Sequence, residues 1–197
     1  MNSALRIELP DWLAHMVREC PPLPNDDARM DFVIEVARHN IASEGGPFAA
    51  AVFEIGSGRL VAAAANRVVA SHCAAAHAEV LALSLAQQSL KSFDLGAPGM
   101  PACELVSSCA PCAMCIGAVA WSGVRRLVVA AREADACAIG FDEGPKHPDW
   151  AGELRRRGIE VVEDVRRADA VAVFRAYCAA EGPIYNAGCV EDHFKRG

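Results

Sequence analysis

Residues 103–130 read CELVSSCAPCAMCIGAVAWSGVRRLVVA, and the punctuation of this stretch decides the fold. Cys103–Ser107 is a short β-compatible run. Pro111 stands where a first-turn proline belongs and opens a helix that reaches about Ser122. Gly123 ends that helix, and Val124–Ala130 returns as an apolar strand. A strand, a helix and a second strand in direct succession form one unit of an alternating α/β chain. Leu105–Val124 carries no charge and is long enough to cross a bilayer. Its serines, Pro111 and the cysteines at 109, 112 and 115 argue instead for a buried segment with a polar task.

The same pattern extends in both directions. Upstream, helices are expected over about 3–18 and 26–43, separated by Cys20-Pro-Pro-Leu-Pro24, with the second opened by the cap signal Asn25-Asp26-Asp27. Phe48–Ile55 and Arg59–Ala65 flank Gly56-Ser57-Gly58 as a hairpin. His77 to about Leu90 reads as a helix, and Gly96–Pro101 as a loop. Downstream come a helix over 149–157, a strand over 159–162 and a long helix over 164–180. Together these predict a three-layer α/β/α sandwich around a mixed central sheet of about five strands. The chain divides into a helical extension (1–25), a single domain (26–181) and a tail (182–197).

Composition limits what this domain does. The chain has 197 residues, enough for one full hydrophobic core. Nineteen Lys plus Arg oppose 25 Asp plus Glu, a balance of the wrong sign for gripping a phosphate backbone. The runs Arg125-Arg126, Arg155-Arg156-Arg157 and Arg166-Arg167 therefore read as solvated helix faces. Met1–Pro10 has no apolar run suited to secretion, so a cytoplasmic setting is expected. Nine cysteines suit free or metal-bound thiols rather than a disulfide framework.

Two short motifs carry chemistry: His77-Ala78-Glu79 and Pro111-Cys112-Ala113-Met114-Cys115. Residues two apart on a helix face opposite sides, but at a first turn both can serve one site. There His77 can ligate a metal while Glu79 stays outside the coordination shell, close enough to exchange protons with water. Cys112 and Cys115 share another helix start, where the dipole and free N–H groups stabilise thiolates. One imidazole and two thiolates leave the fourth tetrahedral position of a zinc ion open to water, whose pKa falls to about 7. Cys109 also forms a C-x-x-C with Cys112. As a fourth ligand it would close the site and make the domain a zinc-stabilised interaction module. Its place before Pro111, at a strand end, argues for Cys112 and Cys115 as the pair. Phe48, after Gly45-Gly46-Pro47, and Trp121, at the end of the metal helix, are flat enough to stack on a heterocycle. Asp142 and Glu143 form an acidic pair before Gly144.

With these motifs the chain resembles the zinc-dependent cytidine/deoxycytidylate deaminase superfamily, known by H-x-E and P-C-x-x-C. More narrowly, Ala76–Val80, Ser107–Cys115 and Gly140-Phe141-Asp142-Glu143 resemble bacterial guanine deaminases of this fold. The likeness spans about residues 26–186 and departs at Ala110, where relatives often carry Glu. It implies hydrolytic deamination of a purine base, foremost guanine to xanthine, with Zn2+ held by His77, Cys112 and Cys115 and Glu79 as proton shuttle. It also implies Glu143 facing the purine, Asn66 on the polar edge of the base, and Tyr185 as an aromatic cover from a tail exchanged within a homodimer. Deamination of adenosine in tRNA, or of a cytidine, is the enzymatic alternative.

Overall fold

The computed structural model describes residues 4–186. Five strands form one sheet in the order β2-β1-β3-β4-β5. The strands are β1 (Ala49–Glu54), β2 (Leu60–Ala65), β3 (Cys103–Cys109), β4 (Arg126–Ala131) and β5 (Glu160–Val162). The β1–β2 hairpin and the β1–β3 pair are antiparallel, whereas β3–β4 and β4–β5 are parallel. The sheet is thus mixed, as expected from a hairpin followed by helix-linked strands.

Alternation along each strand feeds two separate cores. Ala51, Val106 and Val128 share one register line and face the layer of α1 (Asp11–Glu19), α2 (Asp26–Ala42) and α8 (Arg167–Ala179). Val52, Leu105 and Leu127 lie on the next line and face the opposite way. There they meet α4 (Ala78–Leu90), α5 (Ala113–Ser122) and α7 (Trp150–Arg156). Both faces of the sheet are covered, which is why β1 and β4 are buried almost throughout.

The first helix begins only at Asp11, not near residue 3. Pro10, at φ −62°, lacks the N–H that a helix interior needs and biases its predecessor away from helix, so the helix opens after it. Two short helices escaped the sequence pattern, α3 (Val68–Ser71) and α6 (Glu133–Cys137), because neither is long enough to show a period. Strand β3 continues past Ser107 to Cys109, which pairs with Ala131 of β4. The helix after it starts two residues later than read, with Pro111 before the N-cap and Cys112 at it.

This topology gathers certain residues at one sheet edge. Because β1 runs antiparallel to both β2 and β3, its start lies beside their ends. Phe48 precedes β1, Asn66 follows β2 and Ala110 follows β3, so three remote segments meet there. Below that edge the turns into α4 and α5 bring in His77 and Cys112.

Candidate active site

Two helix starts face each other across this edge. His77 is the N-cap of α4 and Cys112 the N-cap of α5, both with extended backbone, and Cys115 lies in the first turn of α5. The His77 Nδ1 atom is 3.5 Å from Cys112 Sγ and 3.6 Å from Cys115 Sγ. All three donor atoms lie within 4.8 Å of one another. Zn–S bonds of about 2.3 Å and Zn–N bonds of about 2.0–2.1 Å at a tetrahedral angle separate sulfur from nitrogen by about 3.5 Å. The donor set and its spacing therefore fit a zinc ion. Cys112 is pushed down to about 4 by the hydrogen bond from Cys115 and, against the effect of burial, by the His77 imidazole. The same hydrogen bond and burial raise Cys115.

Cys109 does not join this cluster. As the last residue of β3 it is buried, its thiol directed to the Arg132 carbonyl at 3.8 Å, and burial holds it well above the ordinary thiol range. The strand pairing that extends to Cys109 holds it away.

A cleft of about 190 Å³ opens onto His77 and Cys112, lined also by Phe48, Asn66, Glu79, Glu143 and Tyr185. Glu79, in the first turn of α4, is buried, and this burial raises its carboxyl, with the nearby His77 imidazole opposing. Glu143 is buried as well and is pushed up to about 7 by desolvation, with Lys146 pulling down and the Cys112 and Glu79 charges pushing up. Its Oε2 atom and the Tyr185 hydroxyl are buried without a hydrogen-bond partner among the described residues. Asn66 is 2% exposed, and its Oδ1 accepts from the Val68 amide at 3.2 Å, which orients the side chain.

One wall is aromatic. Phe48 meets Phe141 edge-on at 4.9 Å, and Phe141 meets Tyr185 at 5.0 Å. Phe48 is packed on both sides, also touching Phe174 at 5.4 Å. Tyr185 enters the cleft of its own chain. Gly46 makes room for it, since a Cβ there would lie 2.0 Å from the Tyr185 hydroxyl. Residues 187–197, where an exchanged tail would continue, lie outside the described part. Asp142 borders the cleft but is exposed, its Oδ1 accepting from Gly144 N at 2.8 Å in a turn.

Trp121 is a correction to the sequence reading. It is 81% exposed and borders a different groove, between α5 and α7. The last turn of α5 carries it outward, away from the helix start that serves the cleft. Phe141 lies in the Gly140–Glu143 segment already singled out, though its place in the cleft wall did not show there. Two further contributors carried no sequence signal of their own. Asn186 clamps residues 140–142, its Oδ1 accepting from Asp142 N at 3.0 Å and its Nδ2 donating to Gly140 O at 2.8 Å. Asn40, fully buried on α2, donates to Gly46 O at 2.8 Å and Asn66 O at 2.9 Å. Only the folded sheet edge shows what these amides hold.

The cytidine and deoxycytidylate deaminase zinc-binding region matches residues 24–131, and the chain belongs to this family. Within it, a guanine deaminase of Bacillus subtilis (strain 168) is 38% identical over 102 residues, a match covering 52% of this chain and 61% of that protein. The NE0047 protein in complex with 2,6-diaminopurine is 57% identical with a TM-score of 0.90, covering 96% of this chain and 100% of that one. A structure described as guanine deaminase from Nitrosomonas europaea is 56% identical with a TM-score of 0.88, covering 91% of this chain and 98% of that one. An NE0047 variant with 8-azaguanine gives 56% identity, a TM-score of 0.89 and the same coverages.

Proposed function

We propose that this protein hydrolyses guanine to xanthine and ammonia. One observation carries the reading: two buried carboxyls, Glu79 and Glu143, open into a single small cleft beside the His77–Cys112–Cys115 donor set. The relatives described as guanine deaminase support the purine as substrate.

His77, Cys112 and Cys115 hold zinc, which when bound supplies Lewis-acid activation of water near pH 7. The remaining chemistry belongs to side chains. Guanine and water give xanthine and ammonia: a C–O bond forms at the ring carbon bearing the amine, and the C–N bond breaks. Glu79 takes a proton from the attacking water and delivers it to a ring nitrogen. Glu143, with a carboxyl raised to about 7, accepts a hydrogen bond from the amine. The second proton of the attacking water, released as the new carbonyl forms, reaches the departing nitrogen through a carboxyl of the cleft to make ammonia. Asn66 fixes the polar edge of the base, while Phe48, Phe141 and Tyr185 form an apolar wall for the ring. Asp142 shapes the turn at the rim. The charge balance supports a small neutral base over a polyanion.

The reading extends to a cytoplasmic homodimer. Free thiols throughout the described residues suit a reducing compartment, and the exposed Trp121 and Met114 on α5 supply an uncovered apolar face for a second copy. The deciding experiment is ammonia release from guanine, adenine, cytosine and cytidine by the zinc-loaded protein. Guanine is expected to be the preferred substrate. Preference for cytidine or adenine would replace the assignment, and zinc retention with no release from any would point to a binding module.

A further inference from the structure

Three residues beyond Glu143 stands a lysine that the reaction leaves without a role. The Lys146 side chain is only 4% exposed, although an ammonium is strongly hydrated in water. Protein groups replace that water. Nζ donates to the Pro111 carbonyl at 3.1 Å and lies 3.0 Å from Glu133 Oε2 and 3.8 Å from Glu143 Oε2. The Trp150 ring lies 5.6 Å from it. These partners come from four separate places: the residue before Cys112, the first residue of α6, the loop carrying Glu143 and the first residue of α7.

The backbone reinforces the junction. Ala113 N donates to Glu143 O at 2.9 Å, and Lys146 N donates to Gly144 O at 2.9 Å. The loop is thus tied to the start of α5 by its main chain, and the ammonium aims the side chain. At 3.8 Å the Lys146–Glu143 contact is longer than a hydrogen bond, so the charge attracts the carboxylate while Oε2 keeps its lone pairs free.

We propose that Lys146 is a positioning residue of the deamination site, holding the Glu143 carboxylate toward the cleft while leaving its Oε2 open to the base. The inference rests on the purine-deaminase reading above. A purely structural lysine would join the same elements and act independently of Glu143, and a double-substitution cycle separates the two roles.

The cycle uses zinc-loaded wild type, Lys146→Met, Glu143→Gln and the double variant. On each, zinc content, cooperative unfolding, equilibrium binding of 8-azaguanine and kcat and KM for ammonia release from guanine are measured. Methionine keeps an unbranched apolar stem and removes the charge. Lys146→Met is expected to hold zinc, and to weaken 8-azaguanine binding and lower kcat/KM by about tenfold when Glu143 is present. With glutamine at 143, the same substitution should change either quantity by less than about twofold. Equal losses in both backgrounds, or none in the first, overturn the proposal. If Lys146→Met loses zinc or cooperative unfolding, Lys146→Gln, which keeps a donor for Pro111, runs the same cycle with the same deciding outcomes. Wild type that neither binds 8-azaguanine nor acts on guanine would overturn the substrate assignment and this inference together, a failure recognisable because it needs no substitution.

Discussion

In the proposed reaction Glu79 carries the heaviest chemical demand on any single side chain. It sits two residues after His77, at a helix start where both side chains reach one cleft. Glu79→Gln preserves size and removes proton transfer, so the variant should keep its zinc while kcat falls by at least about 10²-fold. Metal analysis alongside steady-state kinetics tests this, and a near-normal rate would remove Glu79 from the reaction. The cysteines make a second contrast. Cys112→Ala should lose zinc and activity, whereas Cys109→Ala should keep both, because the Cys109 thiol is directed to the Arg132 carbonyl and stays outside the donor cluster. Metal content of the two purified variants decides between them.

At the scale of elements, the cleft depends on how α2 meets the ends of the hairpin. Asn40 joins the loop before β1 to the turn after β2 through two buried carbonyls, and Arg67 Nη1 donates to its Oδ1 at 3.3 Å. Asn40→Ala leaves those carbonyls unpaired away from water. A loss of about 1–3 kcal/mol in unfolding free energy is expected, read from denaturant titration. Base binding should weaken as well, because Asn66 and Phe48 lose their common anchor. Unchanged stability and binding would show that water substitutes for the amide. The motifs themselves were legible because each lies within one turn of a helix start, where spacing of two or three residues sets the geometry. Asn40 was not legible, since its partners lie 6 and 26 residues away and meet only when the sheet edge forms.

The molecule as a whole carries a second buried charge cluster at the end of the sheet opposite the cleft. At the starts of β3 and β4, Glu104, fully buried, pairs with Arg29 and with Arg126 at 2.7 Å, and Arg126 reaches Asp26 at 2.6 Å. Glu104→Ala would strand a buried guanidinium and is expected to cost about 3–5 kcal/mol, measurable by denaturant unfolding. The network also sets part of the acid response. The hydrogen bond from Arg126 holds the Asp26 carboxyl below its ordinary range, against the effect of burial. A depressed folded-state value means stabilisation is complete above the unfolded value of about 3.9 and is lost as pH falls through the lower folded value. Unfolding midpoints taken from about pH 6 down to about pH 2.5 should therefore drop more steeply in wild type than in Asp26→Asn. Parallel curves would exclude Asp26 from acid unfolding. Sequence alone determined the alternating strand and helix order, the mixed sheet and the donor motifs, because hydrophobic period, helix-start chemistry and turn residues act over a few neighbouring positions. Tertiary structure decided that Trp121 faces outward, that Tyr185 lies against Gly46, and that Lys146 and Asn40 brace the cleft. Those facts depend on strand order and register, which bring together groups that no local pattern connects.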